Sequence, residues 1–226
     1  MKYLKISFTK KDGRNKEGRI TSYHKGGGHS KKYRIVDWSH MIKGVFAYVL
    51  KKEYDPFRNV YIYLVYYQNG CFSYHLGIQG VLEGMYLYSG KDAPLWLGNN
   101  LPLYRYPAGS FVSNVNSLYG KAAGVRCQIL KHFGKNSLVK LPSGERRVFP
   151  SEVWSTYGRI GKVYSKFEKK SKAGNNRNKG IRPCVRGVAM NPIDHPHGGG
   201  EGKTSGGRLS VTPWGKLTKG KKTKKK

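Results

Sequence analysis

The excess of basic over acidic residues is the feature that most limits how this chain can fold. The 226 residues include 43 Lys and Arg against 12 Asp and Glu, a formal net charge of +31. Positive charge of this size repels itself in a compact, isolated chain. The sequence therefore predicts a polyanionic partner.

The charge is concentrated at the two ends of the chain. Residues 1–34 carry 11 basic and 2 acidic groups, residues 35–165 carry 15 and 7, and residues 166–226 carry 17 and 3. Glycines in both ends, and prolines in the C-terminal one, prevent the continuous amphipathic helix that binds membrane surfaces. We expect extended basic arms that gain order by neutralising the phosphates of a nucleic acid, and no membrane partner.

The central part indicates two small β-domains. Eight short runs rich in β-branched and aromatic residues alternate with polar turns, at a spacing typical of small barrels or sandwiches. The runs are 44–50, 60–67, 71–76 and 78–82, then 110–115, 125–130, 137–141 and 147–149. Residues 51–59 are interpreted as a polar turn, and the tyrosines of 60–67 as strand packing rather than a base-stacking platform. The predicted organisation is an N-terminal arm at 1–32, β-domains at 33–95 and 96–165, and a C-terminal arm at 166–226.

Three cysteines give no sign of a zinc site or a disulfide framework. Cys71, Cys127 and Cys184 are odd in number, far apart and never in a C-x-x-C pair. We expect small buried or part-buried thiols. The longest apolar run, 60–67, is far shorter than the ~20 residues that span a bilayer.

Residues 197–204 resemble the end of a nucleotide-binding P-loop. That motif needs Gly at its first position, where this chain has His197, and it needs a preceding strand and a following helix. The His-Gly-Gly-Gly run also resembles an esterase oxyanion loop, but no G-x-S-x-G sequence accompanies it. We therefore predict no enzyme and no catalytic residue.

His195 and His197 are candidate metal ligands, together with His24 and His29, but an i, i+2 spacing in a Gly/Pro loop fits no closed zinc site. The alternative is that the imidazoles contact RNA, with Asp194 orienting a neighbouring histidine. No metal site and no cofactor are expected, apart from structural Mg²⁺ held by the RNA itself.

The N-terminal arm interleaves basic side chains with Tyr23 and Tyr33, a composition typical of RNA contacts. The glycine triplets 26–28 and 198–200 are expected to let the backbone approach an RNA strand closely. The predicted RNA-binding residues of this arm are Arg14, Arg19, His24, Lys25, Gly27, His29, Lys31, Lys32 and Arg34.

Residues 180–202, from Gly-Ile-Arg-Pro-Cys-Val-Arg to Gly-Gly-Gly-Glu-Gly, closely resemble the signature of the family of the second protein of the large ribosomal subunit. Residues 13–15, 18–21, 24–29, 33–37, 53–56, 102, 107–110, 211–215 and 218–223 are similar to other parts of that family. A nonspecific DNA-compacting protein would share the composition but not residues 180–202.

The resemblance implies a mainly β chain, with an OB-fold barrel followed by an SH3-like barrel and extended basic arms. It also implies a structural role: binding large-subunit rRNA and neighbouring ribosomal proteins, contacting the small subunit, and supporting tRNA placement. No homo-oligomer is implied. Asp194 and His195 are implied to lie near the peptidyl transferase centre, where His195 has a positional or assembly role. The further rRNA-binding residues are Arg182, Arg186, Asn191, His195, His197, Lys203, Arg208, Trp214, Lys219, Lys221 and Lys222.

Three departures from the family suggest where the ribosome is found. The chain lacks a leader segment, has a short loop at 114–125, and stops soon after residue 223. It is rich in Tyr and Lys, and its first residues show neither a secretory signal nor an Arg-bearing transit peptide. We expect an organelle-encoded, mitochondrial ribosomal protein, with a plastid or the bacterial cytoplasm as alternatives.

Overall fold

Two groups of residues make up the structure, a computed structural model that describes residues 3–169 and 172–220. The first unit contains residues 3–9 and 30–169, and the second contains residues 10–29 and 172–220. Twelve strands lie within the described residues, and all of them belong to the first unit. The prediction of a mainly β chain is confirmed.

The first β-domain is built on a four-stranded antiparallel sheet. A short pair, β1 (Lys5–Ser7) and β2 (Lys32–Arg34), precedes it. The sheet contains β3 (Phe46–Asp55), β4 (Val60–Tyr67), β5 (Phe72–Leu76) and β6 (Tyr86–Tyr88), in the order β5-β4-β3-β6. Its core includes Val49, Ile62, Val65 and Tyr74, each almost fully buried.

The second β-domain is a six-stranded antiparallel sheet. Its strands are β7 (Asn100–Pro102), β8 (Phe111–Ser113), β9 (Cys127–Phe133), β10 (Asn136–Lys140), β11 (Arg146–Pro150) and β12 (Trp154–Tyr157), in the order β11-β10-β9-β8-β12-β7. Gly134, with a φ of +53°, allows the tight turn between β9 and β10. Leu101, Val112, Ile129 and Val139 form a second core.

Seven of the eight predicted runs overlap strands, and β4 coincides over its whole length. The prediction of a strand at 78–82 is wrong, because Ile78 makes only an isolated bridge to Ile160. The polar turn predicted at 51–59 is also wrong in its first half, since β3 continues to Asp55 opposite β4. Polar side chains on an exposed face do not end a strand whose backbone is paired.

The cysteine prediction holds only in part. Cys127 is buried, and burial raises the pKa of its thiol to about 11. Cys71 and Cys184 are exposed, so the expectation that they are buried or part-buried is wrong.

The second unit has little regular structure and no apolar core among its described residues. It contains the short helix α1 (Ala173–Asn178) and a 3-10 turn at Gly187–Ala189. Both hydrophobic clusters lie in the first unit. Residues 1–32 and 166–226 were predicted to form separate arms. In the structure the first of these is divided, because β1 and β2 pair in the first unit while residues 10–29 join 172–220. Among the described helices, none is long and apolar enough to cross a membrane.

Candidate nucleic-acid interface

Backbone hydrogen bonds join the two basic segments of the second unit. The amide of Gly26 donates to the carbonyl of Gly180 at 3.0 Å, and the amide of Arg182 donates to the carbonyl of His24 at 3.0 Å. A bridge between Lys25 and Ile181 lies between them. The pairing presents the two predicted RNA-binding segments side by side.

Gly28 marks the closest approach of these segments. It has a φ of +85°, and a Cβ atom at this position would lie 2.7 Å from the Gly180 nitrogen and 2.8 Å from the Asn178 oxygen. A Cβ at Gly27 would meet nothing within 4 Å. The whole triplet was predicted to serve contact with RNA, but at Gly28 packing within the chain is sufficient to require glycine.

Side chains also fix the loops of the N-terminal segment. The Asp12 carboxylate accepts the amide hydrogen of Gly27 at 2.9 Å. The Asn15 side-chain oxygen accepts the amides of Glu17 and Arg19, at 3.1 and 3.0 Å. These bonds satisfy turn amides locally, so the loop is organised without a core.

His195 and His197 form a stacked pair inside the C-terminal segment. Their ring centres lie 5.1 Å apart at an interplanar angle of 29°. The amide of His197 donates to Nδ1 of His195 at 3.0 Å. Nδ1 of His197 lies 3.0 Å from the carbonyl oxygen of Gly206, and its Nε2 accepts the amide of Val211 at 3.0 Å.

These contacts define the tautomers of the two rings. His197 carries its proton on Nδ1, because only a donor can bond to the Gly206 carbonyl. His195 accepts at Nδ1, so a neutral ring carries its proton on Nε2. His195 is only 8% exposed. Both rings therefore act as braces of the loop.

Gly187 and Gly198 allow the loop to close around these rings. A Cβ at Gly187 would lie 2.5 Å from the His195 ring, and a Cβ at Gly198 would lie 2.2 Å from the Asn191 carbonyl oxygen. The second glycine triplet therefore begins at a position whose small size is required within the chain.

The second unit is strongly basic and its charged side chains face outward. Its described residues include 15 Lys and Arg and four Asp and Glu. The predicted RNA-binding residues that the structure exposes in this unit are Arg14, Arg19, His24, Lys25, Gly27, His29, Arg182, Arg186, Asn191, Lys203, Arg208, Trp214 and Lys219. His197 is half-buried, His195 is buried, and Asp194 is exposed. An outward basic surface without a core is suited to a phosphate-rich partner.

The remaining predicted residues lie elsewhere. Lys31, Lys32 and Arg34 belong to the first unit, where the Arg34 guanidinium lies 3.9 Å from the Glu53 carboxylate. Lys221 and Lys222 lie outside the described residues.

Three residues that were not predicted from the sequence come together in the first unit. The guanidinium carbon of Arg58 lies 5.0 Å from the centre of the Trp38 ring, and Nζ of Lys121 lies 4.1 Å from it. Burial, with a contribution from Arg58, lowers the pKa of Lys121. These three residues are far apart in the sequence, so no local motif predicts the cluster.

The motifs considered for catalysis lack their structural context. No strand directly precedes His197 and no helix follows Thr204 among the residues that the structure describes. Across the same residues, no group of three His, Cys, Asp or Glu side chains is placed to hold a metal.

The described residues combine two β-domains with a basic unit of paired segments that has no apolar core. This combination is typical of proteins that bind nucleic acid. Comparison with known protein families identifies which family of nucleic-acid-binding proteins this is. Residues 1–89 match the model described as "Ribosomal Proteins L2, RNA binding N-terminal domain", and residues 96–215 match "Ribosomal Proteins L2, C-terminal domain". The chain belongs to the ribosomal protein L2 family, and its two β-domains are the OB-fold and SH3-like barrels expected from the resemblance.

Full-length relatives agree with this assignment. The chain is 46% identical to the large ribosomal subunit protein uL2 of Rickettsia typhi, over 100% of this chain and 85% of the relative. It is 47% identical to the protein of the same name from Rickettsia canadensis, over 99% and 84%. The protein of the same name from Rickettsia rickettsii (strain Sheila Smith) is 47% identical, over 100% and 85%.

Proposed function

We propose that this chain is a structural, non-catalytic constituent of the large ribosomal subunit that binds rRNA through its second unit. The single observation that carries the proposal is the exposed basic surface formed where residues 10–29 pair with residues 172–220. A unit held by backbone bonds and turns, without a core, gains most of its order when phosphates neutralise its charge. Membership of the ribosomal protein L2 family makes large-subunit rRNA the expected polyanion.

Arg182 and Arg186 provide the direct test of this interface. Replacing both by Ala removes two exposed cations of the second unit. Binding to an in-vitro transcribed bacterial large-subunit rRNA should weaken, and the slope of log K against log salt should fall by about 0.9 for each phosphate that the variant no longer binds. Exposed Lys131 and Lys135 of the second β-domain serve as a control pair of equal charge. Equal slopes for the two double variants would contradict the proposed interface.

The remaining predicted residues differ in how available they are to bind RNA. Exposed Lys203, Arg208, Trp214 and Lys219 are available to RNA. Arg34 is the weakest candidate, because Glu53 already compensates its charge.

We also propose that Asp194 and His195 lie near the peptidyl transferase centre, and that His195 has a positional or assembly role. The burial of His195 and the bond from the His197 amide support bracing rather than proton transfer. His195→Gln should leave both β-domains folded while reducing subunit assembly or peptidyl transfer in reconstituted subunits. Fully active subunits that carry this variant would refute the role.

The proposed partners are large-subunit rRNA, neighbouring ribosomal proteins and the small subunit, with support of tRNA placement and no homo-oligomer. No cofactor is proposed beyond Mg²⁺ held by the rRNA. Sedimentation of native ribosomes, with cross-linking and mass spectrometry of this chain, tests these contacts. Recovery of the chain only in free pools or as a homo-oligomer would count against them.

The mitochondrial location stays a prediction. The relatives described above are proteins of Rickettsia, which fit the bacterial-cytoplasm alternative. Mass spectrometry of ribosomes from separated cell fractions distinguishes the two: detection in purified mitochondrial ribosomes supports the prediction, and detection only in bacterial-type cytoplasmic ribosomes overturns it.

A further inference from the structure

A basic cleft lies in the second β-domain, and none of the residues predicted from the sequence to bind RNA lines it. It has a volume of about 560 Å³ and is lined by parts of β8, β9 and β10 and by residues around 123–125 and 159–166. Its lining includes Arg126, Lys140, Arg159 and Lys166, and no Asp or Glu. An adjoining cleft of the same volume shares Phe111, Arg126 and Arg159. The two form one continuous positively charged surface.

Packing fixes the two guanidinium groups of this surface. The guanidinium carbon of Arg126 lies 3.8 Å from the centre of the Phe111 ring. Nε of Arg159 donates to the carbonyl oxygen of Gly124 at 2.8 Å. An arginine held in this way loses less entropy when it binds, and its planar fork matches the geometry of a phosphate.

Among the described residues, several cations of the first unit are compensated by carboxylates, whereas those that line the cleft are not. Lys5 lies 2.9 Å from the Glu53 carboxylate, and Lys162 lies 3.0 Å from that of Glu168. Arg58 is paired with Asp55. Throughout the described residues, no carboxylate lies within ion-pair distance of the four cleft cations. Several like charges around one concave surface favour an anionic ligand.

We propose that this cleft is a second RNA site, in which the guanidinium groups of Arg126 and Arg159 bind phosphates of an RNA backbone and Lys140 and Lys166 add charge. The inference rests on the proposed function, because membership of a ribosomal family makes RNA the polyanion at hand. RNA also fits the site better than an acidic peptide does. Arg126 covers part of the Phe111 ring, and Phe111, 37% exposed, leaves aromatic surface beside the cations for an unpaired base.

The site adds RNA contacts from Arg126 and Arg159 of the second β-domain to those of the basic segments. It also supplies RNA contacts that do not depend on folding of the second unit. Disruption of one interface should therefore leave the other able to bind.

The test uses the full chain and a fluorescein-labelled, in-vitro transcribed bacterial large-subunit rRNA. Arg126→Gln/Arg159→Gln removes the two guanidinium groups while keeping polar side chains. Lys131→Gln/Lys135→Gln removes two exposed charges of the same domain outside the cleft lining. The cleft variant should lose at least about tenfold in affinity at a given salt concentration, and its salt slope should fall by about two units. The control should change much less.

A charge-conserving variant and a competitor sharpen the result. Arg126→Lys/Arg159→Lys keeps the charge and should restore the salt slope and part of the affinity, because lysine neutralises a phosphate without the planar fork. An unfolded variant would restore neither. Circular dichroism and thermal melting check that each variant is folded. Indistinguishable binding by the cleft and control variants overturns the inference, as does displacement of the RNA from the cleft by polyglutamate as effectively as by unlabelled RNA. If the wild-type chain itself fails to bind rRNA, the proposed function fails first.

Discussion

The side-chain amide of Asn114 donates a hydrogen bond of 2.6 Å to the main-chain carbonyl of Trp38. The Ser117 hydroxyl donates to the same oxygen at 3.0 Å. Asn114 directly follows β8 of the second β-domain, whereas Trp38 packs against the core of the first. The short loop that begins at residue 114 therefore ties the two β-domains together, and it does so in a left-handed conformation that asparagine tolerates well.

Asn114→Ala should destabilise the first unit by roughly 0.5–1.5 kcal/mol, the net contribution of one hydrogen bond, because the Trp38 carbonyl keeps its bond from Ser117. Asn116→Ala is the matched control. Asn116 has a φ of +52° against +51° for Asn114, but its side chain is exposed. Urea unfolding followed by circular dichroism measures both. Equal decreases in the free energy of unfolding for the two variants would mean that a change in backbone strain, and not loss of the bond to Trp38, causes the destabilisation.

The fold could be predicted where a strand is long and its side chains carry a pattern. β4 was located over its whole length because eight consecutive residues are apolar or aromatic. β1, β2, β6 and β7 have only three residues each and leave no periodic signal. These short strands form because they pair with segments that are distant in the chain.

The tyrosines of β4 show the limit of pattern reasoning at single residues. Tyr63 and Tyr67 are buried, as expected for strand packing. Tyr61 and Tyr66 are 37% and 38% exposed, yet each packs against its cross-strand partner, with ring centres 6.3 Å from Tyr54 and 4.9 Å from Phe72 respectively. Composition identifies a tyrosine-rich strand but cannot say which face is covered, because that depends on packing against the rest of the domain.

The candidate interface was predictable in residue type but not in arrangement. Basic residues and glycines identified both segments from the sequence. The pairing of residues 24–26 with 180–182 depends on backbone hydrogen bonds between distant parts of the chain. The cleft around Arg126 and Arg159 is likewise assembled from separated strands, and no local motif identifies it.

Stability should fall in mild acid because two histidines are buried together in the first β-domain. The rings of His40 and His75 lie 4.1 Å apart, and Nε2 of His75 lies 2.9 Å from the Tyr67 hydroxyl. Burial lowers the pKa of His40 from 6.5 to about 4, although the nearby Asp37 charge opposes the shift, and burial lowers the pKa of His75 as well. Both rings are therefore neutral in the folded state at neutral pH.

Between pH 6.5 and about 4 the unfolded chain therefore binds more protons than the folded chain, and the free energy of unfolding decreases as the pH falls. For His40 alone the decrease reaches on the order of 3 kcal/mol near pH 4. Urea unfolding at pH 7.5 and pH 5 measures the effect. His40→Asn, which tolerates the φ of +49°, should reduce the difference between the two pH values. If the His40→Asn variant loses as much stability between pH 7.5 and pH 5 as the wild-type chain does, His40 is not the source of the pH dependence.

Gly28→Ala should separate the two segments of the second unit. Its Cβ would lie within 3 Å of backbone atoms of Gly180 and Asn178, which cannot move without breaking the pairing. Hydrogen exchange of the Gly26 and Arg182 amides should accelerate, because both donate across this pairing. Gly27→Ala is a control with a similar positive φ but open space around its Cβ. Accelerated exchange in both variants would attribute the effect to backbone strain rather than to the steric clash.

The tautomers of the stacked histidine pair can be observed directly. Long-range ¹H–¹⁵N spectra at neutral pH should show the proton of His197 on Nδ1 and that of His195 on Nε2, as the bonds to Gly206 and from the His197 amide require. His197→Gln should weaken protection of the Val211 amide, which donates to Nε2 of His197. Observation of the opposite tautomer on His197, or an unprotected Val211 amide in the wild-type chain, would show that the loop is not braced as described, and would remove the structural basis for a positional role of His195.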